Sequence, residues 1–152
     1  MAIDLTPPGG RLDGLAHYFP VRAYYEDTDL SGIVYHANYL KWFERARSDL
    51  LRLLGIDQRA AQEAGEGAYA VAELTIRYAA PAKLDDAVII ESRPLEVRAA
   101  SCRLHQRAWR GEELLAEQTV RVGFIGTDGK PRRQPQAWRA AFATLMEDKT
   151  AA

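Results

Sequence analysis

Residues 38–54 read NYLKWFERARSDLLRLL, and this stretch decides the fold. Tyr39, Phe43, Ala46, Leu50 and Leu53 recur at steps of four and three, which stacks them on one face of a helix. Trp42 and Leu54 widen that face. Lys41, Arg45, Asp49 and Arg52 lie opposite, with Arg45 and Asp49 at the supportive i, i+4 spacing. Gly55 tolerates the left-handed conformation that stops a helix.

The flanks read differently. Before the helix, HYFPVRAYYE (17–26) is rich in aromatic and branched residues and suits a strand, and DTDLSG (27–32) is a turn cluster. After a Gly- and Ala-rich passage (60–68), four further strands are predicted. In the first, Ala70, Ala72, Leu74, Ile76 and Tyr78 share a face, and Pro81 ends the run. The second spans Val88 to Arg93. The third spans Ser101 to Trp109, with Cys102, Leu104 and Ala108 on one side. Arg110-Gly111-Glu112 forms a hairpin turn into the last, marked by Leu114, Ala116, Val120, Val122 and Phe124. Asp128-Gly129 marks another turn, and a short helix is expected from about Gln136 to Met146.

A sheet needs its apolar face covered, and 38–54 is the long helix available to cover it. The expected class is therefore α+β: an antiparallel five-stranded sheet curled around one long central helix. Pattern alone leaves the strand order open. Pro7, Pro8, Gly9 and Gly10 mark residues 1–15 as a flexible leader, which leaves one domain over 16–147 and a tail over 148–152.

Composition narrows the function classes. The chain has 152 residues, 47% hydrophobic and 27% charged, an ordinary mix for one domain that folds without metal or disulfide staples. The formal net charge of −1 gives no global basic field for nucleic acid, so an anionic ligand needs a local cluster. Cys102 is the single cysteine, so no intrachain disulfide forms, which fits a reducing compartment. No secretory signal or membrane-spanning run is read, and a cytoplasmic location is expected.

Chemistry concentrates in YYEDTDLSGIVYHANYLKWFERAR (24–47). Here a strand leads through an acidic turn into a helix N-terminus that carries a histidine. The first N–H groups of a helix lack partners within it and suit an oxygen that gains negative charge. Asp27 and Asp29 stand just before them. A carboxylate beside such donors is a hydrolytic arrangement, and it is equally what a turn or helix cap requires. Asp27 reads as a stabiliser of the turn, and Glu44 as an ion partner for Arg47 or Ser48.

YYEDTD (24–29), GIVYHANY (32–39) and FERAR (43–47) together resemble the signature of the YbgC-type acyl-CoA thioesterases, in the 4-hydroxybenzoyl-CoA thioesterase branch of the hotdog superfamily. The resemblance implies a hotdog fold, an acyl-CoA substrate, no metal or other cofactor, a homodimer or homotetramer, and a link to the Tol-Pal envelope system through frequent gene neighbourhood. Residue by residue, it implies that Asp29 is the catalytic carboxylate, as nucleophile or as base for a water. Backbone N–H groups near His36 become the oxyanion donors, and the His36 side chain and Tyr25 line the site. It implies that Arg98, and Arg132 with Arg133, meet the phosphates of coenzyme A. Arg98-Ala99-Ala100 is less basic than the corresponding hairpin of the 4-hydroxybenzoyl-CoA enzymes. Two other functions stand beside this one: hydrolysis of acyl groups on acyl carrier protein, and a non-catalytic hotdog acyl-CoA-binding or assembly protein.

Other signals are weaker. Asp27-x-Asp29-x-Ser31-Gly32 begins like a calcium loop, but its twelfth position is Asn38 where a bidentate Glu is required. Ser31 has no Gly-x-Ser-x-Gly elbow. His17, His36 and His105 are too scattered for a zinc site, and the arginines lack the interleaved aromatics of a nucleic-acid groove.

Overall fold

The periodic stretch forms α1, Asn38–Leu53, and its apolar stripe is the centre of the molecule. Tyr39, Trp42, Phe43, Ala46 and Leu50 are all buried. Gly55 follows at φ 79°, the left-handed conformation expected at the stop. The computed structural model describes residues 2–146; the tail expected over 148–152, and position 147 of the domain, lie outside them.

Around α1 curls an antiparallel sheet of six strands: β1 Arg11–Asp13, β2 Ala16–Arg22, β3 Ala68–Tyr78, β4 Ala87–Val97, β5 Ser101–Arg110 and β6 Glu113–Ile125. The order is β1-β2-β4-β5-β6-β3, so β3 leaves α1 and joins the far edge beside β6. This is the hotdog arrangement, with one strand more than the five expected. The extra strand, β1, lies inside the stretch expected as leader and pairs Arg11 with Tyr18. A short helix, α2 (Gln58–Glu63), starts on the Asp57 side chain, which accepts from the N–H of Ala60. The closing helix α3 spans Gln136–Met146 as expected. No helix among the described residues is long and apolar enough to cross a membrane.

The concave face holds two apolar clusters. Phe19, Tyr39, Trp42, Phe43, Ile90 and Leu115 belong to one, and Leu50, Leu104, Val120, Phe142 and Leu145 to the other. Between them a polar row crosses four neighbouring strands: His17 opposite Ser92, Ser92 opposite Gln106, and Gln106 opposite Gln118. All four are buried, and hydrogen bonds join three of them. Gln106 Nε2 donates to the Ser92 hydroxyl and to the Phe43 carbonyl of α1, each at 2.9 Å. Gln106 Oε1 accepts from Arg47 Nη1 and Gln118 Nε2, each at 3.0 Å.

Two expectations need correction. Asp49 does not face solvent beside Arg45; the β1–β2 hairpin covers that side of α1, and Asp49 is buried. Its Oδ2 lies 2.7 Å from His17 Nε2 and accepts from the Gly10 N–H at 2.9 Å. The alternation in β3 also breaks at a bulge between Val71 and Glu73, so Tyr69 packs inward from one side of the break and Leu74 from the other.

The His17–Asp49 contact generates two expectations. Asp49→Ala leaves the buried His17 ring nitrogen and the part-buried Gly10 N–H without their partner and is expected to cost about 2–4 kcal/mol in urea unfolding. Burial holds the His17 imidazole below its ordinary 6.5, with the bond to Asp49 opposing the shift. The unfolded chain thus binds a proton below pH 6.5 that the native state resists, so this contribution to stability is present above that pH and declines as pH falls below it. The urea midpoint is expected to drop between pH 7.5 and 5.5, and to drop less in His17→Gln; an equal drop in both proteins assigns the effect to another group.

Candidate active site

The loop before α1 is set by Asp27. Its carboxylate accepts from the Tyr24 N–H at 2.8 Å and from Asn38 Nδ2 at 2.9 Å, and its carbonyl accepts from the Tyr35 N–H at 2.8 Å. One buried side chain thus closes the loop onto the first residue of α1, the stabilising role read from the sequence. It also turns the chain out of the sheet: Tyr25–Asp27 form a 3-10 turn rather than the end of a strand. Tyr25 is consequently not strand core; it is 84% exposed.

Asp29 stands exposed on the same loop. Its Oδ1 accepts from the hydroxyl and from the backbone N–H of Ser31. These bonds hold its carboxyl below the usual aspartate range, with the His36 ring adding to the effect. Gly32, at φ 84°, reverses the chain so that the Asp29 N–H donates to the Ile33 carbonyl.

His36 follows, also exposed, with its ring centroid 4.5 Å from that of Tyr35 and 6.2 Å from that of Tyr78. The N–H of Asn38 is used by the Tyr35 carbonyl. The N–H groups of His36 and Ala37 have no hydrogen-bond partner among the described residues. The structure therefore brings together an ionised carboxylate, an imidazole and two free backbone donors at one helix entrance.

The loop rests on its neighbours. Val34 N–H donates to the Ala82 carbonyl at 2.8 Å, and Ile33 bridges Lys83. Arg110 anchors that supporting segment through the Asp86 carboxylate at 2.6 Å and the Pro81 carbonyl at 3.1 Å. Tyr78, at the end of β3, donates its hydroxyl to the His36 carbonyl at 2.7 Å. Neither Arg110 nor Tyr78 was marked by sequence, because their partners lie 24 and 42 residues away in the chain.

The expected arginines sit elsewhere. Arg98 lies in the β4–β5 hairpin, its Nε 3.1 Å from Glu96. Gln134 bonds the carbonyls of Arg98 and Ser101, which brings Arg133 to the same hairpin. Arg132 is partly committed: its Nη1 donates to the carbonyls of Gly65 and Glu66 at 3.0 and 2.7 Å. The length of β4 separates this end from the Asp29 loop, on the order of 30 Å. Asp29 and His36 are thus together, Arg98 and Arg133 are together, and one chain does not join the two groups.

Beneath α1, a cavity of about 340 Å³ is lined by Glu44, Arg47, Ser48, Tyr69, Val71 and Phe142 among others. Its lining includes neither Asp29 nor His36. Arg47 bonds Gln106, and Glu44, read as an ion partner for Arg47 or Ser48, acts on the Arg47 guanidinium through its charge without a direct bond. Cys102 is buried, its thiol pushed up to about 11 by desolvation. No group of three or more His, Cys, Asp or Glu among the described residues is placed to hold a metal ion.

Comparison with known proteins places the chain in a family. A model described as thioesterase superfamily matches residues 31–117. The chain is 43% identical over 128 residues to the acyl-CoA thioesterase YbgC of Haemophilus influenzae, covering 84% of this chain and 94% of that protein. It is 40% identical over 126 residues to the acyl-CoA thioester hydrolase YbgC of Escherichia coli, covering 82% and 93%. The crystal structure of a probable thioesterase from Bartonella henselae superposes with a TM-score of 0.76 at 36% identity, covering 79% of this chain and 99% of that one.

The two carbonyl contacts of Arg132 set an expectation. Arg132→Ala is expected to lower stability by about 1 kcal/mol, while Arg133→Ala leaves it within about 0.5 kcal/mol. Equal thermal melting of both variants and the parent protein would show that the Arg132 contacts contribute nothing.

Proposed function

The chain belongs to the YbgC-type acyl-CoA thioesterases of the thioesterase superfamily, and from that membership we propose that it hydrolyses acyl-CoA to a free carboxylic acid and coenzyme A. What supports the residue assignment is an ionised Asp29 carboxylate on the loop that leads into a helix entrance, near enough to His36 to feel its charge, with two N–H groups unpartnered among the described residues. In this reading the thioester carbonyl oxygen takes the N–H groups of His36 and Ala37 as charge develops on it. Asp29 either draws a proton from a water that attacks the carbonyl carbon, or attacks it directly to give an anhydride that water then opens. On both routes the C–S bond breaks, the thiolate leaves and takes a proton from the water consumed, and that water supplies the new acid oxygen, directly on the first route and by attack on the acyl carbon of the anhydride on the second. The His36 ring and Tyr25 line the approach.

Two copies complete the site in this proposal. β3 is an edge strand with Val71 48% exposed, open to pairing with a second β3. A second copy would also bring a distant Arg98–Arg133 end toward a substrate held at Asp29. The Tol-Pal association rests on the resemblance alone.

Asp29→Asn keeps the shape and the Ser31 contacts while removing the charge. It is expected to lower kcat at least ~100-fold in a thiol-release assay, with melting temperature and coenzyme A affinity unchanged. A folded variant that hydrolyses at the parent rate removes Asp29 from the mechanism. Because the Asp29 carboxyl titrates below the usual value of 3.8, its ionisation is not expected to produce an acid limb in kcat above about pH 5. Arg98→Ala combined with Arg133→Ala is expected to raise KM more than it lowers kcat, since contacts to a remote phosphate bind ground state and transition state alike. An unchanged KM takes these arginines out of the substrate site.

A further inference from the structure

The peptide group between His36 and Ala37 is held from one side only. Its N–H, on Ala37, has no partner among the described residues, and its carbonyl, on His36, accepts the Tyr78 hydroxyl at 2.7 Å. A hydrogen bond to the oxygen of an amide draws electron density from its nitrogen and strengthens the N–H as a donor. It also fixes the peptide plane, and with it the direction of that N–H.

We infer that Tyr78 is a positioning residue for hydrolysis, acting through the His36–Ala37 peptide to aim and strengthen the Ala37 N–H as an oxyanion donor. This deepens the proposed hydrolytic function and rests on it. The neighbouring donor, the His36 N–H, belongs to a peptide whose carbonyl accepts the Asn38 N–H at 2.9 Å. Both free donors therefore sit on peptides gripped at the oxygen, one by backbone and one by the Tyr78 side chain.

Tyr78 is itself well braced. Its ring centroid lies 5.5 Å from that of Tyr39, edge-on, and Tyr39 packs in turn on Trp42 at 5.1 Å. Tyr39 and Trp42 are both buried at 2% exposure. The Tyr39 hydroxyl accepts the Ala82 N–H at 3.1 Å, tying this aromatic stack to the segment that supports the Asp29 loop. Partial desolvation of the Tyr78 phenol raises its ionisation above the ordinary range.

Tyr78→Phe separates the hydroxyl from the ring. It keeps the stacking on Tyr39 and His36 and deletes one hydrogen bond. The expected result is a loss in kcat of roughly 5- to 20-fold, smaller than removal of a direct oxyanion donor, with KM and melting temperature little changed. Hexanoyl-CoA and benzoyl-CoA serve as substrates, so that the loss is read on two acyl groups. Tyr78→Leu, which also removes the stacking, is expected to lower the melting temperature in addition. A second measurement reads the donor directly. A non-hydrolysable coenzyme A ketone, with a methylene between sulfur and carbonyl, is bound to the parent protein and to Tyr78→Phe, and its carbonyl stretch is recorded by difference infrared. The stretch is expected to fall to lower frequency on binding the parent protein and to fall less in the variant. Parent-like kcat in Tyr78→Phe overturns the inference while leaving the hydrolytic function standing. A loss of kcat that only tracks a lowered melting temperature, with equal carbonyl frequencies, overturns it as well. Should the parent protein release no thiol from either substrate, the hydrolytic function falls and the inference that rests on it falls with it.

Discussion

Gln106 donates to the carbonyl of Phe43 inside α1, and the placement of the helix over the sheet depends on that contact. Apolar packing is non-directional and would let a smooth helix slide or roll by a fraction of a turn. The polar row does not allow it. Because the Phe43 carbonyl only accepts, Gln106 must present its nitrogen there, and its oxygen must then accept from Arg47 and Gln118. Ser92 takes the remaining Gln106 donor. Each bond determines the next, and any shift of α1 would leave buried polar groups without partners, at a cost of about 1–3 kcal/mol each.

The helix entrance inherits that placement. With α1 fixed, Asn38 stands where it can hold the Asp27 carboxylate, and Asp27 in turn closes the loop that carries Asp29. From the opposite side Tyr78, Ala82 and Lys83 meet the same loop. Asp29 and His36 are exposed, while Asp27 and Ala82 behind them are buried, a division that would suit the proposed site, which must admit a large thioester yet hold its donors still.

Much of this was legible in the chain itself. The four-and-three spacing from Tyr39 to Leu53 located α1, and the resemblance of residues 24–47 named the family. What escaped depended on residues far apart in sequence. Helical spacing told that Asp49 lies opposite Phe43 but not that a hairpin from the leader covers it. The aromatic run through Tyr25 looked like strand because the Asp27 contact with the Tyr24 N–H, which ends the strand character, is a side-chain decision. Bulges between Val71 and Glu73 and between Ala108 and Trp109 each shift the alternation by one, so Tyr69 and Leu115 turn inward where a strict period of two points to their neighbours. β1 and α2, of three and six residues, are too short to show a period at all.

Gly10 has a practical bearing on where the polypeptide can be cut or extended. Its N–H is the second donor to Asp49, and a Cβ placed there would stand 2.0 Å from the Tyr18 carbonyl oxygen and 3.0 Å from both Asp49 Oδ2 and His17 Nε2. Gly9 is nearly as close, with a Cβ 3.1 Å from Asp49 Oδ1. Residues 2–8, exposed throughout, can carry a fused tag or be trimmed without touching this contact. A version begun at Arg11 would keep β1 and lose the glycine that helps bind it to the helix. The first residue that the fold needs is therefore one that has no side chain.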